Sequence, residues 1–131
     1  MANDNQITCG AGEFLAVGKL FKKGLQVTFT VGNAKSIDIF AHNPTNEKTY
    51  TVQVKTEKKS KKDFFLKEED IKDNHIYIFV ALNDFENNED YFIIKGSEMR
   101  KDVKKFFGPK KSAVRHSSLN DYKDNWKVFD Q

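Results

Sequence analysis

Apolar residues first recur at three- and four-residue spacing. Phe14, Val17, Leu20 and Phe21 predict a helix from about Gly10 to Lys23, with Gly24 where a C-terminal cap belongs. The period then falls to two. Leu25 to Val31, rich in Val, Thr and Phe, predicts a strand ended by Gly32-Asn33. Ser36 to His42 predicts a second strand, closed by the turn Asn43-Pro44-Thr45-Asn46. Thr49 to Thr56 predicts a third, with Tyr50, Val52 and Val54 on one face. Hairpin connections of this kind make the three strands an antiparallel meander.

A lysine-rich connection leads into a mixed acidic stretch, Asp63 to Lys72, that suits a short helix. Ile76 to Leu82 is almost continuously apolar, the mark of a strand buried on both faces. Tyr91 to Lys95 predicts a shorter strand, and Glu98 to Phe107 a helix stopped by Gly108-Pro109. The segment from Lys110 to Asn120 is expected to be a mobile loop, whereas Trp126, Val128 and Phe129 are expected to dock back onto the body. The order fits one α/β domain over residues 1–131, a sandwich around a mixed sheet.

Composition narrows the class. With 38% apolar residues, twelve of all residues being Phe, the chain is globular rather than disordered. No run reaches the roughly 18 apolar residues of a membrane span, and residues 1–10 lack the basic-then-apolar order of a signal peptide. A cytoplasmic location without membrane contact is the expectation. Cys9 is the only cysteine, which excludes an internal disulfide. The net charge of +3 says little, but its distribution says more. Residues 19–72 hold twelve Lys against seven acids and residues 96–118 seven Lys/Arg against two, flanking an acidic segment. One face is thereby suited to a polyanion, although an unevenly charged solvated surface reads the same way. Twenty of the 22 basic residues are Lys, which favours contact with phosphates over the bidentate reading of bases.

The candidate chemistry lies on the second and third strands. Asp38 interrupts the apolar run Ser-Ile-Asp-Ile-Phe-Ala, and Gln53 and Lys55 alternate with Val52 and Val54. If the hairpin pairs as read, Asp38, Gln53 and Lys55 converge. Asp38 and the Gln53 oxygen would then hold Mg²⁺ (or Mn²⁺), a hard cation that prefers oxygen. Lys55 would orient an attacking water or stabilise charge developing on a phosphate. Three polar residues facing solvent give the same alternation. Glu13, at helical spacing from Val17 and Leu20, leans toward the apolar side and could support the metal. With Gly10 as N-cap it would equally serve as an N3 carboxylate facing the helix dipole. Lys58, Lys59, Lys61 and Lys62 follow the third strand as a candidate phosphate clamp or a solvated loop, and Asn33 and Lys35 could touch the nucleic-acid backbone. His42, His75 and His116 stand singly, without the spacing of a helical zinc site.

Gly10-Ala-Gly-Glu13, then Gly32-Asn-Ala-Lys-Ser-Ile-Asp38-Ile, then Val52-Gln53-Val-Lys55-Thr resembles the PD-(D/E)XK nuclease superfamily over roughly residues 8–95. It is especially similar to small members with a Gln-Val-Lys-Thr motif and to archaeal Holliday-junction resolvases. The resemblance implies a restriction-endonuclease-like α/β/α sandwich and a Mg²⁺-dependent endodeoxyribonuclease. In that family pattern Asp38 is a metal ligand, Lys55 the catalytic lysine and Glu13 a helix-borne carboxylate. Gln53 departs from the pattern, because the family usually has Asp or Glu there and the amide removes one charge. A nuclease-fold DNA-binding or regulatory module, or a subunit of a restriction or defence assembly, fits the same motifs. The chain leaves little room for a recognition domain, and a homodimer would span a duplex better than a monomer.

Overall fold

The computed structural model describes residues 4–30, 38–58, 63–109 and 111–131, with the Asp38 side chain left out. The first helix, α1 (Asp4–Lys22), begins six residues before the expected Gly10. Its buried side is Thr8, Gly12, Glu13, Ala16, Val17 and Leu20. Gly10 is therefore not an N-cap, and Glu13 sits in the interior of the helix rather than at N3. The three glycines of α1 cost an isolated helix about 1 kcal/mol each, and at Gly12 packing overrides that preference: a Cβ there would lie 1.8 Å from Thr56 Oγ1. Phe14 and Phe21, expected on the core face, stay half exposed. The helix closes at Gly24 as the sequence predicts, with Gly24 N–H donating to the Phe21 carbonyl and Leu25 N–H to that of Leu20.

Then follow β1 (Gln26–Thr30), β2 (Asp38–Asn43), β3 (Lys48–Lys58), β4 (Asp63–Phe65), β5 (His75–Leu82), β6 (Asp90–Lys95), α2 (Gly96–Lys101), α3 (Val103–Phe107) and β7 (Ala113–Arg115). Five strands form a sheet in the order β1-β2-β3-β5-β6. The first three make the expected antiparallel meander, β3 and β5 run parallel, and β6 returns antiparallel to β5. The turn after β2 is set by Asn43, whose side-chain oxygen accepts from Thr45 N–H at 2.9 Å. Its amide donates to the Phe129 carbonyl at 2.8 Å, which anchors the chain end. Trp126, Val128 and Phe129 do dock back onto the body, against the α1 side of the sheet.

The sheet separates two cores. Val17 and Leu20 of α1 meet Ile39, Val52, Ile78 and Ile93 on one face. On the other, Tyr77, Phe79, Phe92 and Ile94 meet Phe64, Met99, Phe106 and Leu119. β5 feeds both, which is why its burial is nearly continuous. The second layer is where the sequence expectation fails most. Asp63 to Lys72 is not a helix but β4 followed by a 3₁₀ turn, Glu68–Asp70. The expected helix to Phe107 is two helices, split at Asp102, whose side chain accepts from Lys105 N–H. The segment 110–120 is not a loose loop over its described residues: β7 pairs with β4, a 3₁₀ turn spans His116–Tyr122, and Val114 and Leu119 are fully buried. Isolated apolar residues carry no periodic signal, yet these two cover the phenylalanines of the second face. No helix among the described residues is long and apolar enough to cross a membrane.

Gly96 opens α2 directly over the crossover between β3 and β5, and a Cβ there would lie 2.0 Å from the Lys72 carbonyl oxygen. Backbone cannot swing aside as a side-chain tip can. Gly96→Ala is expected to cost about 1–3 kcal/mol through overpacking, read as a lower denaturant midpoint at unchanged slope.

Candidate functional site

Alternation along β3 assigns its side chains to opposite layers. Val52 and Val54 pack into the α1 core, whereas Gln53 and Lys55 line a pocket of about 210 Å³ on the other face. Their Cα partners on β5 are Tyr77 and Phe79. The roof comes from the crossover, which brings Lys67, Asp70 and Lys72 over the strand floor, with His75 at the start of β5 beside them. Parallel strands cannot be joined by a tight turn, so a crossover must lie across one face of the sheet.

Several bonds hold this roof down. Lys72 N–H donates to the Tyr77 hydroxyl at 2.9 Å. Burial pushes the Tyr77 phenol pKa above its ordinary value, partly offset by that hydrogen bond. The Arg100 guanidinium donates from α2 to Asp73 at 2.7 Å and also to the Ile71 carbonyl. Ile71 itself is buried in the second core.

The charge balance in the pocket is uneven. Among the described residues, Lys55, Lys67 and Lys72 stand against the carboxylate of Asp70, a set that leaves out the Asp38 side chain. Within that set none of the three ammonium groups has a carboxylate within 4.0 Å. Lysines that outnumber the described carboxylates of a concave site favour an anion.

Gln53 and Lys55, then, share one pocket. The β2–β3 pairing runs to Ile39↔Val52, and one further step sets the Asp38 backbone opposite Gln53. The same backbone position pairs with Thr30 of β1. Among the described residues, β3 from Gln53 to Lys58 is paired only on its β5 side. Glu13 lies in the other layer, 8% exposed within α1, and does not line the pocket. The two layers nevertheless come into electrostatic reach of one another at Cys9. Its thiol pKa is raised by burial first and by the Glu13 carboxylate next, lowered by Lys55, and raised again by Glu57.

Lys58 is exposed at the end of β3; Asn33, Lys35, Lys59, Lys61 and Lys62 lie outside the described residues. Among the described residues no three His, Cys, Asp or Glu side chains gather as metal ligands, a set that leaves out the Asp38 carboxylate. His42 bonds Thr49 Oγ1 at 2.8 Å, and His116 packs its ring on Phe64. Sequence reasoning missed Lys67, Asp70, Lys72 and His75. The available signal was topological: a meander followed by a doubly buried central strand implies a parallel pair, and its connection must pass over the sheet.

Cys9 reports on both Glu13 and Lys55. Glu13→Gln removes a negative neighbour and is expected to lower the thiol pKa, so iodoacetamide alkylation at about pH 8 speeds up. Lys55→Met is expected to slow it. Equal rates in all three proteins would mean that the two groups do not share this neighbourhood.

Comparison with protein-family models, with curated proteins and with solved structures gave no match.

Proposed function

We propose that the protein is a metal-dependent DNA endonuclease of the PD-(D/E)XK kind, built on a restriction-endonuclease-like sandwich. The observation that carries this is the pocket beside β3: Gln53 and Lys55 both line it, and the strand register sets the Asp38 backbone opposite Gln53. The order helix, meander, crossover, parallel strand supports the fold assignment.

Asp38 and Gln53 offer a carboxylate and an amide oxygen, hard donors suited to Mg²⁺ or Mn²⁺. When bound, such an ion supplies Lewis-acid stabilisation and a more acidic water. Lys55 keeps its ammonium unpaired among the described carboxylates, so its charge is available to a phosphate oxygen as negative charge builds there. Glu13 supports the site from α1 through its field, which meets that of Lys55 at Cys9. Lys58 with its lysine-rich continuation would hold the DNA backbone, and a homodimer would let two such sites face one duplex.

A second reading is favoured by the cationic surplus of the pocket: a nuclease-fold module that binds DNA without cutting it. Nicking of labelled duplex, flap and four-way-junction DNA with Mg²⁺ or Mn²⁺ separates the two. Asp38→Ala and Lys55→Ala are each expected to lower cleavage at least about 100-fold, while Asp38→Ala leaves metal-free binding intact or slightly stronger. Gln53→Glu is expected to tighten Mn²⁺ binding by calorimetry, since it restores an anionic oxygen. Cleavage by Asp38→Ala at the wild-type rate would place any nuclease activity elsewhere. Binding without cleavage of any substrate favours the module.

A further inference from the structure

The roofed pocket has a size and charge that ask for a particular ligand. At about 210 Å³ it falls below the roughly 300–1,000 Å³ of pockets that enclose drug-sized molecules, so it takes a chemical group rather than a whole nucleotide. Among the described residues its lining holds three lysines and one aspartate. An internal phosphodiester carries one negative charge. A phosphate monoester carries about 1.5 to 2 near neutral pH and gains more from each nearby ammonium than a diester does.

The donors are placed for such a group. Gln53 offers an amide from the floor, and the Tyr77 hydroxyl, having accepted the Lys72 N–H, retains its own proton to donate. Lys67 and Lys72 come from a crossover already fixed by Arg100 and by the Gly96 close approach, so part of the ordering cost is met before binding. Phe65 adds a separate clue. It lines the same pocket yet is 64% exposed, an apolar ring at the rim of a cationic cavity. A ring in that place can stack a base, and free phosphate has none to offer.

We propose that this pocket receives the terminal phosphate monoester of a nucleic-acid end, with Lys55, Lys67 and Lys72 around the phosphate and Phe65 against the terminal base. The nucleic-acid source of the phosphate rests on the DNA-directed function proposed above; the preference for a dianion rests on the pocket alone.

Fluorescence anisotropy on the full chain without divalent metal tests this, using short single strands that carry a 5′-phosphate, a 3′-phosphate or only hydroxyl ends, with inorganic phosphate as competitor. One phosphorylated end is expected to bind about 10-fold or more tightly than the hydroxyl-ended strand, the size of one good charge-assisted bond. Lys67→Ala and Lys72→Ala are expected to remove that preference, with a smaller loss for hydroxyl-ended strands. Both positions are exposed, and thermal unfolding checks that the variants fold. Phe65→Ala is expected to weaken all strands without changing the inhibition constant of inorganic phosphate. Equal affinity for phosphorylated and hydroxyl ends overturns the proposal, as does a preference that survives loss of both lysines. Tight inorganic phosphate without any end preference overturns the nucleic-acid source. No step here requires cleavage, so an inactive nuclease and an empty phosphate pocket are separate outcomes.

Discussion

The parallel pairing of β3 with β5 is the constraint on which the rest of the molecule depends. Antiparallel neighbours could have been joined by a few residues; parallel ones require the chain to return across a face of the sheet. Here the return runs through β4 and the Glu68–Asp70 turn. Its buried members, Phe64, Leu66 and Ile71, seed the second core. Its exposed members, Lys67, Asp70 and Lys72, become the roof over Gln53 and Lys55. One topological requirement thus creates both the hydrophobic layer that stabilises the sheet and the open, lysine-rimmed pocket at its edge. The same pairing holds β3 from Thr51 to Lys58, so that the β5 side supports the strand where Gln53 and Lys55 project.

What the sequence revealed follows from where period and function coincide. The meander and β5 were legible because their apolar residues either alternate or run together, and a strand buried on one face or on both leaves that trace. Gln53 and Lys55 were legible because two residues on one strand share a face whatever the tertiary fold. Lys67, Asp70 and Lys72 were not, since their meeting with β3 is decided by a crossover and not by spacing. The misreading of residues 63–72 has a local cause. Lys, Glu and Asp suit a helix, and they outweighed the shorter alternation of buried Phe64, exposed Phe65 and buried Leu66. The start of α1 was missed for the opposite reason: Gly10 read as an N-cap, although it lies inside the helix together with Gly12, which lets the helix approach Thr56.

The neutral residue at Gln53 acquires a physical sense from its neighbours. A carboxylate at that position would face Lys55, Lys67 and Lys72 in one small cavity. It would strengthen a bound cation, and it would also act as an internal counter-ion and repel an incoming phosphate. An amide keeps an oxygen for a hard metal and an N–H for an anion, and leaves the lysines unneutralised. Metal affinity and phosphate affinity therefore oppose one another at this position, and the chain carries the residue that favours phosphate.

The choice of lysine over arginine at all three cationic positions fits the same division of labour. An ammonium is a strongly hydrated point charge on a flexible stem, whereas a guanidinium imposes a planar fork. Arg100, the arginine nearest the roof, is spent on Asp73 and the Ile71 carbonyl, where fixed geometry holds the crossover in place. Direction in the pocket is then left to the short, anchored groups, the Gln53 amide and the Tyr77 hydroxyl, while the lysines supply field. Field without fixed direction tolerates anions arriving at different angles. For the proposed nucleic-acid ligand, specificity would then come from charge and from the Phe65 rim rather than from a rigid hydrogen-bond pattern.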